Sequence, residues 1–134
     1  MKDFVIEHID PLGQGVFKEK DNIYFIPKTL PEEEGQFEVV NRKKGVHFCK
    51  VLNLTKSSPD RVEPSCKHYY ECNGCHYLHT HYENEIEFKK SSFHRLLTRL
   101  DSSLPDLEVL KSPKRLHYRN RIQLHYDLKQ NKIG

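Results

Sequence analysis

Gln36-Phe37-Glu38-Val39-Val40-Asn41-Arg42-Lys43-Lys44-Gly45-Val46-His47-Phe48-Cys49-Lys50-Val51-Leu52-Asn53-Leu54 is the stretch that decides the fold class. Gln36 to Asn41 alternates apolar and polar side chains, the period of a half-buried strand. Arg42-Lys43-Lys44-Gly45 reads as a basic turn, and Val46 to Leu54 as a returning strand. Upstream, Asn22 to Pro27 encloses Ile23-Tyr24-Phe25-Ile26, strongly β-prone. Lys20-Asp21-Asn22 is a tight turn, Gly15 to Lys18 begins another strand, and Phe4 to Ile9 forms the first. Pro11-Leu12-Gly13-Gln14-Gly15 lacks the third glycine and following helix of a dinucleotide loop, so it reads as a turn between strands. Glu32-Glu33-Glu34, within the polar loop Thr29 to Gly35, reads as a solvated tip. Short strands at this spacing, joined by Gly and Pro turns, predict a small closed β-barrel of the oligonucleotide-binding type over residues 1–56.

Lys56 to Ser65 holds two prolines, three serines and no apolar rhythm, and reads as a linker. Directly after it comes Cys66-Lys67-His68-Tyr69-Tyr70-Glu71-Cys72-Asn73-Gly74-Cys75, with spacing C-x5-C-x2-C. Thiolates crowded on an irregular loop are soft ligands, suited to zinc or to an iron–sulfur cluster. No apolar run approaches the length of a bilayer span, and the N-terminus is too short and charged for a signal peptide. A cytoplasmic protein is expected, and there clustered cysteines favour a metal over a disulfide. Cys49 lies within a strand pattern and reads as a barrel side chain. Three thiolates leave a fourth position open. His79, at Cys75-x3-His79, would close a Cys3His zinc site; a cysteine beyond Gly134 is the other candidate.

Tyr82 to Leu100 is the clearest helix, with Tyr82, Ile86, Phe93, Leu96, Leu97 and Leu100 on one face. Leu107 to Leu110 reads as a short strand, Ile122 to Leu128 as a second, and Lys129 to Lys132 as a hairpin turn. The return strand would start at Ile133-Gly134, so the chain is expected to be an N-terminal fragment of a longer protein or to end where a second domain would start. Residues 82–134 thus begin an α+β unit with an antiparallel sheet. The chain has 134 residues, 36% hydrophobic and 31% charged, with a net charge of +3, which leans toward an anionic partner. Lys111, Lys114, Arg115, Arg119 and Arg121 are interleaved with His117 and Tyr118, a mixture of cations and rings that suits single-stranded nucleic acid. No Ser/His/Asp set and no carboxylate pair stands out, so no catalytic residue is assigned. A monomer is expected.

The order of these pieces resembles the N-terminal part of the RNA 5-methyluridine (uracil-C5) methyltransferases. The resemblance runs through Leu12-Gly13-Gln14-Gly15-Val16, the segment Ser58 to Cys66, Cys72-Asn73-Gly74-Cys75, a helix carrying Lys89, and Tyr118-Arg119-Asn120-Arg121. It implies that residues 1–56 are a TRAM barrel and that 57–81 carry a 4Fe–4S cluster on Cys66, Cys72 and Cys75, with a fourth ligand past Gly134. It implies that 82–134 open a central RNA-binding region in which Lys89, Tyr118, Arg119, Asn120 and Arg121 meet ribosomal or transfer RNA. S-adenosylmethionine would belong to a later Rossmann-like domain, where a cysteine thiolate adds to C6 of uracil. This chain alone is therefore expected neither to bind that cofactor nor to methylate RNA. Two positions depart from the family pattern: Asn73 replaces a usual glycine, and Leu78 a common glutamine. The alternative is a non-enzymatic RNA-binding module with a Cys3His zinc site.

Overall fold

In the computed structural model, which describes residues 1–133, the first 56 residues form six strands. They are β1 (Lys2–Val5), β2 (His8–Ile9), β3 (Gln14–Glu19), β4 (Asn22–Pro27), β5 (Glu34–Lys43) and β6 (Val46–Lys56). Their order in the sheet is β1-β5-β6-β4-β3-β2, antiparallel except for the β4–β6 pair. The expected first strand is split in two. β1 pairs with β5 and β2 with β3, while the Ile6 N–H donates to Glu33 O at 3.0 Å and the Glu7 N–H to Val16 O at 2.9 Å. One bent segment therefore touches both margins of the sheet and holds it in a curl. This is the small β-barrel that the turn spacing predicts, followed by an α+β tail.

Alternation sets which side chains fill the curl. Phe4, Ile6, Tyr24, Ile26, Phe37 and Cys49 form the buried core, with Phe17, Val39, Val51 and Leu54 packed against it. Tyr24 lies edge-on to Phe37 at 5.2 Å and tilted to Phe17 at 5.5 Å between ring centroids. Such aromatic contacts fill a small interior with few residues. Between Val39 and Asn41 the β5–β6 register slips, which turns Val40 out into solvent as a bulge. The Lys44-Gly45 turn takes φ of 47° and 78°, the left-handed geometry of a tight hairpin.

Helix α1 (Tyr82–Leu100) has the expected bounds, but its apolar face is only partly covered. Ile86 and Ser92 are buried and Leu97 is half-buried, whereas Phe93, Leu96 and Leu100 are exposed. No strand forms at Leu107 to Leu110, and the one expected from Ile122 to Leu128 shrinks to β7 (Tyr126–Asp127), paired with β8 (Lys132–Ile133). Alternation alone does not make a strand; the backbone N–H and C=O groups need a neighbouring strand, and outside β7 and β8 these segments have none among the described residues. The turn between β7 and β8 falls where expected, with Asn131 at φ 52°. Gly134, where the expected return strand was to begin, lies outside the described residues. Among the described residues, no helix is long and apolar enough to cross a membrane.

Candidate functional site

The cysteine loop is held to the barrel by side chains that the sequence reading passed over. Glu33 is not a solvated tip: it is 0% exposed. Arg61, from the linker, grips it with both arms of its guanidinium, Nε to Oε1 at 2.6 Å and Nη2 to Oε2 at 2.7 Å. The amides of Leu30 and Ser58 donate to the same carboxylate at 2.9 and 3.1 Å. Burial pushes the Glu33 carboxyl up, but the Arg61 fork and the two amides outweigh it and leave it below the usual value. Arg61 also donates to Lys28 O at 2.9 Å. The linker is thereby fixed to the β4–β5 loop. Val62 N–H donates to His79 O at 3.0 Å and Thr80 Oγ1 to Asp60 O at 3.1 Å, so the segment after the cysteines returns alongside the linker.

Inside this frame the loop coils tightly. Tyr69 N–H donates to Cys66 O, and Glu71 and Cys72 N–H both donate to His68 O, all within 3.1 Å. Tyr69 is buried and stacks against His79, with ring centroids 5.6 Å apart. Lys28 reaches across from the barrel, donating to Tyr69 O at 2.6 Å and Cys72 O at 2.9 Å while lying over the Tyr69 ring. Gly13, at φ 80°, presses the first barrel turn against the other side. A Cβ there would sit 2.9 Å from His76 Cβ and from the Tyr77 ring, so only glycine meets both the angle and the space.

Cys66, Cys72 and Cys75 are all free and exposed on this loop, and Cys72 Sγ accepts the Gly74 N–H at 3.3 Å. The donor set suits a thiophilic metal or cluster: three thiols open to solvent, an amide aimed at sulfur, and the Lys28 ammonium close enough to feel Cys72 and Cys75. Among the described residues, no three His, Cys, Asp or Glu side chains are gathered into a preformed metal-holding group. Cys49 is apart, buried in the barrel core, where burial pushes its thiol up to about 11.

His79 does not complete a zinc site. It is 0% exposed and both ring nitrogens are engaged: Nδ1 lies 2.5 Å from the Tyr69 hydroxyl and Nε2 lies 3.3 Å from Thr29 O. A ring committed on both sides has no lone pair for a metal. The Cys3His arrangement loses its proposed fourth ligand, and His79 is instead a core histidine of the seam.

The residues expected to meet RNA lie beyond the loop. Lys89 is exposed on α1, paired with Glu85 at 2.6 Å and over the Tyr77 ring. Tyr118, Arg119, Asn120 and Arg121 are exposed in an irregular segment, where the Arg119 guanidinium lies 5.9 Å from the Tyr118 ring centroid. Arg115, from the same basic stretch, is already occupied: it donates to Glu85 at 2.9 Å and to Tyr77 O at 2.7 Å. Ser112 N–H donates to the Tyr82 hydroxyl at 3.0 Å. Glu85 and Tyr82 thus dock the basic segment on the helix and leave Arg119 and Arg121 facing solvent.

A scan against protein-family models finds no match. Individual proteins do match. The 23S rRNA (uracil(1939)-C(5))-methyltransferase RlmD of Shewanella woodyi is 32% identical over 136 residues, covering 96% of this chain and 30% of the relative. An uncharacterised RNA methyltransferase of Halalkalibacterium halodurans is 38% identical over 98 residues, covering 73% of this chain and 21% of the relative. The crystal structure of Pyrococcus abyssi tRNA (uracil-54, C5)-methyltransferase in complex with S-adenosyl-L-homocysteine superimposes with a TM-score of 0.61 at 29% identity, over 91% of this chain and 26% of that one. The match to RNA methyltransferases thus runs over nearly the whole chain. Within that class, the chain belongs to the uracil-C5 family, and it spans under a third of the length of the relatives it matches.

Proposed function

We propose that this chain is the RNA-binding, cluster-bearing portion of an S-adenosylmethionine-dependent RNA uridine-C5 methyltransferase that acts in the cytoplasm, as a monomer, on 23S ribosomal or transfer RNA. The observation that carries the reading is the pinned thiol loop, seated between an RNA-binding type of barrel and an open basic segment, in a chain related to uracil-C5 methylases over nearly its whole length. Residues 1–56 are the TRAM barrel, 57–81 the cluster loop, and 82–134 the first part of the central RNA-binding region. Cys66, Cys72 and Cys75 are three cluster ligands. A bound 4Fe–4S cluster would supply metal–thiolate bonds that restrict the loop's freedom. Lys89, Arg119 and Arg121 supply cations for phosphates, Tyr118 a ring for a base, and Asn120 hydrogen bonds.

Anaerobic purification tests the cluster. A brown protein absorbing near ~400 nm is expected, with the colour lost when Cys66, Cys72 and Cys75 are all changed to Ser. A colourless protein holding zinc would overturn the cluster assignment. Calorimetric titration of the 134-residue chain with S-adenosylmethionine is expected to give no saturable heat; micromolar binding would place the cofactor site within these residues.

A further inference from the structure

On the outside of the barrel, Phe25 and Phe48 stand in register on β4 and β6, with ring centroids 6.0 Å apart and planes 26° apart. Their sequence neighbours Tyr24, Ile26 and Cys49 fill the core, so alternation turns these two rings to the opposite face. Phe48 is 40% exposed. The register sets Lys18 beside Ile23, Asn41 beside Phe48 and Lys43 beside Val46 on that same face, with Lys50 two residues along β6. Lys18, Lys43 and Lys50 are exposed and form no ion pair among the described residues. Acidic groups lie nearby: Glu38 opposite Lys50, and Glu7, whose Oε1 accepts the Lys18 N–H at 3.1 Å.

An exposed ring stacked on a half-buried one, with three cations on the same face, matches a ligand that carries flat faces and regularly spaced negative charge. Unpaired nucleotides have both: every base has a face that stacks on an aromatic side chain, and every phosphate attracts an ammonium. A duplex hides those base faces. We infer that the Phe25–Phe48 pair is a stacking platform for unpaired RNA, with Lys18, Lys43 and Lys50 contacting the flanking phosphates. The inference rests on the reading that this chain binds RNA, and it assigns a surface separate from Lys89 and Tyr118–Arg121.

The chain contains no tryptophan, so Phe48→Trp places a single indole reporter on the platform. Titration of that variant with an oligouridylate of about ten nucleotides, within the usual site size of a barrel of this kind, is expected to quench the indole saturably. A blunt duplex of equal length should leave it bright. By anisotropy, Phe48→Ala should weaken oligouridylate binding about tenfold. Phe48→Leu, which keeps apolar bulk but lacks a plane, should do the same, and Lys43→Gln with Lys50→Gln should act in the same direction. If the oligouridylate binds while the indole stays unchanged and both Phe48 variants bind like the parent, the platform is wrong and RNA binding through the basic segment survives. Equal quenching by the duplex would overturn the preference for unpaired bases. If the parent chain binds no RNA even at low salt, the functional reading falls and the platform with it.

Discussion

His79 shows how one side chain can tie the thiol loop to solution pH. Thr29 O only accepts, so Nε2 carries the ring proton, and Nδ1 faces the Tyr69 hydroxyl, whose one proton is shared between that nitrogen and His76 O. Burial, with Arg61 nearby, holds its pKa down at about 4. In the unfolded chain the value returns to about 6.5. The unfolded state therefore binds the extra proton first. Stability from the neutral ring is full above about pH 6.5, declines as pH falls toward about 4, and then levels. Between pH 7 and 4.5 this single group should remove roughly 2–3 kcal/mol. Urea unfolding of the parent and of His79→Gln at those two pH values checks the point. The parent should lose about that much more than the variant, and equal losses would rule out the assignment.

At the scale of elements, the Arg61–Glu33 pair joins linker to barrel. Arg61→Ala leaves a fully buried carboxylate without its partner and should cost about 3–5 kcal/mol in urea unfolding. Arg61→Lys should recover only part of that, since an ammonium lacks the two-armed geometry. Proteolysis between Ser65 and Thr80 should quicken in both variants if the pair holds the loop; unchanged cleavage would count against that role. None of this was legible in sequence, because three adjacent glutamates look like solvent-exposed charge and the partner lies 28 residues away. What could be read was local. The alternation of β5 and β6 and the limits of α1 follow from periodicity, and the turns at Gly13 and Lys44-Gly45 from backbone freedom. The cysteine trio stood out because ligand chemistry is written in residue type and spacing, whereas the barrel contacts that seat it depend on folding. Ile122 to Leu128 misled for the converse reason: its pattern is that of a strand, but a strand exists only where a neighbour accepts its hydrogen bonds.

Across the whole molecule, modest net charge conceals strong local bias. The formal excess is only +3, yet Arg119 and Arg121 lie exposed on one short segment and form no ion pair among the described residues. RNA affinity should therefore fall with salt, the log–log slope reflecting about 0.7 per single-stranded phosphate contact. Arg119→Ala with Arg121→Ala should flatten that slope by about 1.4. Anisotropy titrations from low to high potassium chloride measure it, and an affinity independent of salt would contradict a phosphate-based interface.

The bent segment formed by β1 and β2 also sets an order of events during synthesis. Those residues leave the ribosome before the rest of the sheet, but the mate of β1 begins only at Glu34, and Lys2 waits for Phe37. The earliest strand made is among the last to be sealed, because β2 meets β3 by Val16 whereas β1 has no neighbour until Glu34 to Phe37 emerge. A nascent chain paused before that point would leave β1 without its mate, and chaperone demand should be greatest there.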